Sequence, residues 1–310
     1  MVSEQGISFG CTACGKCCNS PPQMTLAELF HHERRFIGSL SVRRVPVLRA
    51  GDRIATGHGE YHVLDDDDAL ASQAHADAQL WQADASRHVA LHAHALSYPS
   101  ARCPALEPGG LCAIHADRKP AMCHAVPLDP LVPERLQGVV LLRRARGEHY
   151  IGADCIRPGK HAGLTPLFDG RQIVDEGYAA AFRRWESDAI IERRVWADAA
   201  FAQLRMELAG RVPDAGTLTL SLVPALLVLA DVSPGCRERC VRYVESQIAL
   251  MAREVDAALN RRLAQDKPVT AELRANERAY RALIAHLAAR PFAIHGERYT
   301  EMVEAYLAVA

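Results

Sequence analysis

The residues with the most evident chemical potential are cysteines in a compact run near the start of the chain. The run reads Cys11-Thr-Ala-Cys14-Gly15-Lys-Cys17-Cys18, so three thiols follow C-x2-C-x2-C spacing. That spacing lets one loop wrap an ion or a cluster, and Gly15 supplies the backbone freedom that the wrap needs. Bacterial iron–sulfur proteins use the same spacing, and zinc sites also use C-x2-C pairs. The run therefore predicts metal ligation and leaves the metal open.

The fourth cysteine of the run is adjacent to the third, which limits what it can ligate. In an extended segment, neighbouring side chains point to opposite faces. We therefore expect that Cys18 does not serve the same ion as Cys17. Cys18 is expected either to serve a second site or to be packed.

A second group of cysteines lies farther along the chain, where Pro and Gly are frequent. Cys103 precedes a proline, as the last ligand of bacterial ferredoxin runs does. Cys112, Cys123 and Cys155 follow in sequence with little periodicity. A small irregular region needs a staple, and a bound metal supplies one. Eight thiols are thus the predicted metal ligands: Cys11, Cys14, Cys17, Cys18, Cys103, Cys112, Cys123 and Cys155.

The eight thiols can be divided between sites in several ways, because zinc and iron–sulfur sites usually take four ligands each. One natural set is Cys11, Cys14, Cys17 and Cys103, and the other four thiols would then form a second site. The wrap and the Cys-Pro pair favour an iron–sulfur cluster of the 4Fe-4S type as the cofactor, with zinc as the alternative.

Several polar residues beside the thiols are candidates for a supporting role. His115 and His124 adjoin the second cysteine group, and each is a candidate ligand or hydrogen-bond donor to a cluster sulfur. Asp154 is a similar candidate, although a surface turn is the simpler interpretation. Lys16 and Arg118 would offset the negative charge of several thiolates, or they are solvated cations.

Other clusters favour structural interpretations. His88 and His92 are at i and i+4 on a presumed helix, but no carboxylate motif accompanies them. The acidic run 65–68 is interpreted as a solvated loop rather than a cation site. Cys236 and Cys240 share one face of a predicted helix, where core packing is favoured over a redox or metal role.

The cysteine pattern resembles the CxxCxxCC family of zinc- or iron-chelating proteins (YkgJ type). The resemblance covers residues 7–160 and implies a metal-binding domain that holds iron–sulfur or zinc. The chain departs from the family pattern where Lys119 is inserted between Arg118 and Pro120, and where His124-Ala-Val-Pro127 replaces Arg-x-Phe-Pro. The matching motifs are Phe9-x-Cys11-x2-Cys14-Gly-Lys-Cys17-Cys18, Cys103-Pro-x-Leu106, Cys112-x-Ile114-His115, Arg118-x-Pro120 and Cys123.

Flagellin lysine-N-methylase is similar to this family, and it also combines a cysteine cluster with extra helical sequence. The resemblance implies an alternative function, a protein- or peptide-modifying enzyme that uses S-adenosylmethionine. The methylase has looser cysteine spacing, and this chain has no Gly-rich strand–loop–helix segment for a conventional methyl donor. A third hypothesis is a zinc-stapled module that binds another protein.

Capping and turn signals predict the regular elements of the first half. Thr25 and Glu28 have capping-box spacing, which predicts a helix to about Phe36. β-Branched residues and turn signals over 42–64 predict two short strands in a hairpin. Two further predictions complete this half: a helix over 69–96, and a hairpin of 138–142 and 148–152 that leads to Cys155.

Helical periodicity dominates the second half, and prolines lie between the helices. The predicted fold is therefore mainly α, with an irregular, cysteine-rich α+β N-terminal metal-binding half (1–165) and a helical C-terminal half (166–310). The helices are predicted over 172–209, 218–230, 235–264, 270–289 and 297–309.

Composition bounds the partners and the compartment. The chain has 310 residues with 36 Lys+Arg and 37 Asp+Glu, and this balance argues against a dedicated nucleic-acid binder. The longest apolar run, 218–230, is too short to span a membrane, and the first residues lack a signal peptide. We therefore expect a cytoplasmic protein whose partner is another protein or peptide, with no nucleic acid and no membrane.

Overall fold

The structure is a computed structural model that describes residues 6–18, 22–96, 102–147 and 153–309. It is a mixed α+β fold with several small sheets, and helix (about 51%) predominates over strand (17%). The strands are β1 (Ile7–Phe9), β2 (Gly38–Pro46), β3 (Arg53–Gly57), β4 (Glu60–Val63), β5 (Trp81–Gln82), β6 (Arg87–Ala95), β7 (Ile156–Pro158), β8 (Thr165–Asp169), β9 (Gln172–Ile173) and β10 (Leu218–Ser221). The α-helices are α1 (Leu26–His31), α2 (Asp66–Gln79), α3 (Ala121–Ala125), α4 (Gln137–Arg146), α5 (Glu176–Glu192), α6 (Asp198–Leu208), α7 (Val223–Ala230), α8 (Pro234–Arg261), α9 (Lys267–Ala289) and α10 (Glu297–Leu307).

Backbone contacts divide the chain into two compact units, each assembled from segments that are distant in sequence. The sequence predicts a boundary near residue 165 between two contiguous domains, and that boundary stays a prediction. Unit 1 comprises Met1–Pro22, Val45–Val89 and Ala105–Ile190, and unit 2 comprises Gln23–Arg44, Ala90–Pro104 and Ile191–Ala310.

A small sheet organises unit 1. Its strand order is β7-β1-β8-β9, and β1 pairs antiparallel with both of its neighbours. All three residues of β1 are buried, so this short strand lies in the interior with α4 packed against the sheet. The core around it contains Phe9, Leu141, Ile156, Leu167 and Phe168.

The acidic run of unit 1 is not the solvated loop that the sequence predicted. Asp65 is the N-cap of α2, and its side chain accepts a hydrogen bond from the Asp68 backbone N–H. The Asp68 carboxylate is buried and receives Nε of Arg135 at 2.8 Å and Nη1 of Arg171 at 3.2 Å. His62 Nε2 lies 2.8 Å from its other oxygen. Because a buried carboxylate needs such partners, this run is a structural anchor for α2.

Unit 2 combines a sheet with the long C-terminal helices. Strand β2 lies between β10 and β6 in the sheet order, and α8 packs against α7, α9 and α10. The amide of Gln247 on α8 is fully buried. It accepts a hydrogen bond from Gly38 N–H and donates to the carbonyls of Glu33 and Phe36. One side chain thereby satisfies three backbone groups at the start of β2.

The predicted C-terminal helices are confirmed, with three local differences. The run 172–209 begins with β9 rather than with helix, and its remainder contains α5 and α6, joined by one π-helical turn (Arg193–Ala197). The first residues of the run 218–230 form β10, and α7 follows. Cys236 and Cys240 are fully buried on α8, as predicted for core thiols. Among the described residues, no helix is long and apolar enough to cross a membrane.

Two of the local predictions for the first half are wrong. The segment 138–142 lies within α4 rather than in a hairpin, and 148–152 lies outside the described residues. His88 and His92 lie on β6 rather than on a helix, because only the first part of the predicted helix 69–96 is helical. Side chains at i and i+4 of a strand are about 13 Å apart, too far for the proposed i, i+4 metal clasp.

The capping box of α1 allows a simple test of a local signal. The hydroxyl of Thr25 accepts the Glu28 backbone N–H at 3.1 Å, and the Glu28 carboxylate accepts the Thr25 N–H at 2.9 Å. We expect Thr25→Ala to lower the free energy of unfolding by about 1 kcal/mol, and Thr25→Ser to retain it. Urea denaturation of the two variants measures the difference. Equal stability of both would contradict the capping role.

Candidate metal centre

The thiol loop, defined as residues 11–18, has the backbone bends that a wrap requires. Ala13 (φ 52°) and Gly15 (φ 70°) both adopt the left-handed conformation. The loop ends in one 3-10 turn, Lys16–Cys18, in which the Cys18 N–H donates to the Gly15 carbonyl. The thiols of the loop are therefore presented by a curled segment, and Cys11 and Cys14 are exposed.

Strand pairing brings Cys155 to the thiol loop. Phe9 pairs with Ile156, and the Gly10 N–H donates to the Cys155 carbonyl at 2.9 Å. Cys155 is buried at the end of a 3-10 turn, directly before β7. The pKa of its thiol is raised to about 11, mainly by burial, and the nearby thiols of the loop, Cys14 first, contribute to the shift. Cys155 thus lies beside the loop that carries Cys11, Cys14 and Cys17, the thiols with C-x2-C-x2-C spacing.

A second loop holds the thiol loop in place. Gly110 has φ 81°, and a Cβ at this position would lie 2.2 Å from the Ala13 carbonyl oxygen. Leu106 packs at the same place, since its side chain would lie 3.3 Å from a Cβ on Gly15. Leu106 also forms a β-bridge with Cys112. The loop that carries Cys112 therefore packs directly on the thiol loop.

This close approach predicts the effect of one added methyl group. We expect Gly110→Ala to displace the thiol loop and to destabilise the protein by about 1–3 kcal/mol, because the left-handed backbone and the contact are both unfavourable. Gly109→Ala is the matched control, since nothing lies within 4 Å of a Cβ there. Thermal unfolding and alkylation rates of Cys11 and Cys14 distinguish the variants. Identical behaviour of both would contradict the packing argument.

The adjacent thiols of the loop lie close together, contrary to the expectation from an extended segment. The sulfurs of Cys17 and Cys18 are 3.9 Å apart because the backbone turns in a 3-10 conformation. The pKa of Cys17 is lowered to about 6, mainly by the hydrogen bond with Cys18; burial opposes the shift, and the charges of Lys119 and Arg144 contribute to it. Two thiolates on one tetrahedral zinc are about 3.8 Å apart, given Zn–S bonds of about 2.3 Å. The pair is thus already at the separation needed to chelate one ion.

The cations whose charges lower the pKa of Cys17, Lys119 and Arg144, were not proposed for this role from the sequence. Arg144 on α4 donates to the Leu128 carbonyl at 2.8 Å and pairs with Asp129, and these contacts fix its guanidinium. The charge of Lys16 contributes to the lowered pKa of Cys14, whose largest cause is a backbone hydrogen bond from Lys16. No sequence motif marks Arg144, since it lies in a segment predicted as a hairpin.

The aromatic side chain of Tyr178 is a further neighbour that the sequence did not single out. Its ring packs edge-on against Phe9, with centroids 5.8 Å apart. Burial raises its pKa to about 12, and the charge of Cys11 contributes to the shift. A neutral phenol beside a thiolate is a potential hydrogen-bond donor. Tyr178 lies in the predicted helix 172–209. Helical periodicity predicts which residues pack against neighbouring elements, and it does not predict that Tyr178 lies near a thiol.

His115 and His124 lie near each other, and the supporting roles proposed for them and for Asp154 stay predictions. Burial lowers the pKa of His124, and the charges of Lys119, Arg184 and His115 lower it further. His115 and His124 therefore belong to one locally basic region. Asp154 is exposed beside Cys155, in agreement with a surface position.

All ten cysteines lie among the described residues, and none of them is in a disulfide. Cys103, Cys112 and Cys123 are each half-buried. Cys103 belongs to unit 2, whereas the other seven proposed ligands belong to unit 1. The grouping of Cys103 with Cys11, Cys14 and Cys17 therefore stays a prediction, as does a second site.

The thiols of unit 1 fit a metal or a cluster. Close thiolates repel each other, and burial further disfavours their ionised forms, as at Cys155. A metal cation reverses both effects, because it deprotonates its thiol ligands and neutralises their charge. The arrangement of Cys11, Cys14, Cys17 and Cys155 can therefore hold a soft cation through thiolates. Comparison of the chain with family models, curated proteins and solved structures finds no match.

Proposed function

We propose that the chain is a metal-binding protein in which Cys11, Cys14, Cys17 and Cys155 hold an iron–sulfur cluster of the 4Fe-4S type. The observation that carries the proposal is the β1–β7 pairing, which brings the buried Cys155 beside the thiol loop. Three thiols from one wrap and a fourth from a distant segment is the ligand pattern of ferredoxin-type clusters. The cysteine-rich N-terminal half is then the metal-binding part of the protein.

The charges around Cys17 suit a thiolate-bound cluster. The positive charges of Lys119 and Arg144 would offset the negative charge of a thiolate-bound cluster.

The proposed role is redox or structural. The chemistry that the cluster would supply is one-electron transfer, and its thiolate bonds would also staple the irregular loops of unit 1. The proposed partner is another protein or peptide in the cytoplasm, with no nucleic acid and no membrane. The methylase alternative, with S-adenosylmethionine, stays a prediction from resemblance.

Zinc is the second candidate, because one observation favours it. The 3.9 Å between the sulfurs of Cys17 and Cys18 matches the separation of two thiolates on one tetrahedral zinc ion. A zinc staple would make the protein an interaction module without redox chemistry.

Purification without oxygen, followed by an absorption spectrum and elemental analysis, tests the proposal. We expect a brown protein with broad absorbance near about 400 nm and about four iron atoms per chain. A colourless, oxygen-stable protein with stoichiometric zinc would replace the cluster by the second candidate. A protein with neither metal would overturn both.

A further inference from the structure

Cys17 and Cys18 are adjacent thiols, and the proposed site with four thiolate ligands uses only one of them, Cys17. Their sulfurs are 3.9 Å apart, and both side chains are half-exposed. The proposed ligand set takes Cys17 and leaves Cys18 beside it. A second thiol next to a ligand thiol can form a disulfide with that ligand, which the metal then loses.

We propose that Cys17 and Cys18 are a peroxide-sensitive pair, which closes to a vicinal disulfide and thereby withdraws Cys17 from the metal centre. The oxidation concerns the two thiols alone, whereas its effect on the metal rests on the function proposed above. Chain geometry assists closure, because a disulfide needs sulfurs about 2.05 Å apart and the present gap is 3.9 Å. Closure rotates both side chains and strains the short backbone link between the two residues.

The chemistry is a two-electron oxidation by hydrogen peroxide. The Cys17 thiolate attacks the O–O bond, which breaks to leave a sulfenic acid on Cys17 and hydroxide. The Cys18 thiolate then attacks the sulfenic sulfur, the S–O bond breaks, and a second hydroxide leaves as the S–S bond forms. The two protons released by the thiols convert both hydroxides to water. Two thiols and one peroxide thus give one disulfide and two waters.

The product is expected to be readily reduced. Adjacent Cα atoms are about 3.8 Å apart, which is shorter than the usual separation of about 4.4–6.8 Å across a disulfide. The resulting strain raises the reduction potential, as in labile and regulatory disulfides. The pair is therefore suited to reversible oxidation rather than to permanent cross-linking.

Tryptic digestion of the full-length protein can detect the Cys17–Cys18 disulfide in a single peptide. Trypsin cleaves after Lys16 and after Arg34, and the peptide between them contains no cysteine besides Cys17 and Cys18. We treat reduced, metal-free protein with hydrogen peroxide, block remaining thiols with iodoacetamide, and digest it. The proposal predicts that this peptide loses about 2 Da, takes up no iodoacetamide, and regains two labels after reduction with dithiothreitol.

Two serine variants separate the mechanism from general oxidation. In Cys18→Ser we expect a sulfenic acid on Cys17 that dimedone traps, because the resolving thiol is absent. In Cys17→Ser we expect no 2 Da loss. A wild-type peptide that carries dimedone or sulfinic acid, or that is linked to the peptide of Cys11 and Cys14, would overturn the proposal.

The effect on the metal is measured separately on protein purified without oxygen. Peroxide at a low molar ratio is expected to release metal at least threefold faster from wild-type protein than from Cys18→Ser. Equal release with the disulfide present would reject the link to the metal centre. A protein that binds no metal would reject the proposed function, while the peptide assay would still decide whether the pair oxidises.

Discussion

Replacing Cys155 by serine is expected to abolish the metal centre. Cys155 is buried and is the only one of the four proposed ligands outside the thiol loop, so its replacement removes the one ligand that the β1–β7 pairing supplies. Loss of residues that merely support metal ligands reduces affinity by about 10–100-fold, and removal of a ligand is expected to cost at least as much. We expect iron content and absorbance of Cys155→Ser to fall more than about tenfold.

Two control variants make this result specific. Cys240→Ala removes a thiol that is fully buried on α8 in unit 2, and we expect it to keep the metal. Cys103→Ser decides between the two ligand sets, because the sequence groups Cys103 with the thiol loop and the structure places Cys155 there. Full metal content in Cys155→Ser together with loss in Cys103→Ser would restore the set predicted from spacing.

The elements that depend on interactions between residues close in sequence were the ones that sequence signals predicted. The start of α1 follows from the hydrogen bonds between Thr25 and Glu28, which are only three residues apart. The hairpin of β3 and β4 follows from left-handed residues at 57–59 that reverse the chain. The apolar periodicity of α8 predicted a buried face, and Cys240 lies on it.

The rest depends on contacts between distant segments, which a single sequence does not reveal. Cys155 lies beside the thiol loop because Phe9 pairs with Ile156, and no local pattern announces that pairing. The alanine-rich β6 has good helix formers, yet it lies in a sheet where Ala93 and Ala95 are buried. Arg144 lowers the pKa of Cys17 only because α4 packs beside the thiol loop.

Glu192 in unit 2 is expected to make stability fall as the pH rises from about 4.5 to about 7. Its carboxylate is buried at the end of α5, where it accepts a hydrogen bond from the Leu26 N–H at 2.8 Å and one from the Tyr306 hydroxyl. Burial raises its pKa to about 7 from an ordinary value of 4.5, and Glu28 adds to the shift, while the hydrogen bonds oppose it.

The sign follows from which state holds the proton more tightly. Between pH 4.5 and 7 the folded protein keeps the proton on Glu192, whereas the unfolded chain has lost it. The folded state is therefore favoured below pH 4.5, and this contribution disappears as the pH rises through 7. The gap between the two pKa values corresponds to about 3 kcal/mol.

Urea unfolding of wild type and Glu192→Gln between pH 4.5 and 8.5 isolates this effect, because all other groups titrate in both proteins. The amide stays neutral and can accept the Leu26 N–H, so we expect similar stabilities at pH 4.5 and a more stable variant at pH 8.5. Glu245→Gln, on the exposed side of α8, is the matched control and should show no such divergence.

Tyr306→Phe provides the second measurement, since it distinguishes a titrating Glu192 from a merely structural one. The hydroxyl of Tyr306 donates to Glu192 and accepts the Ala27 N–H at 2.9 Å. Its loss removes a donor that favours the ionised carboxylate, so the pH at which stability levels off should move upward. If wild type and Glu192→Gln instead differ by the same amount at every pH, the carboxylate is ionised throughout. The burial argument for its raised pKa would then be wrong.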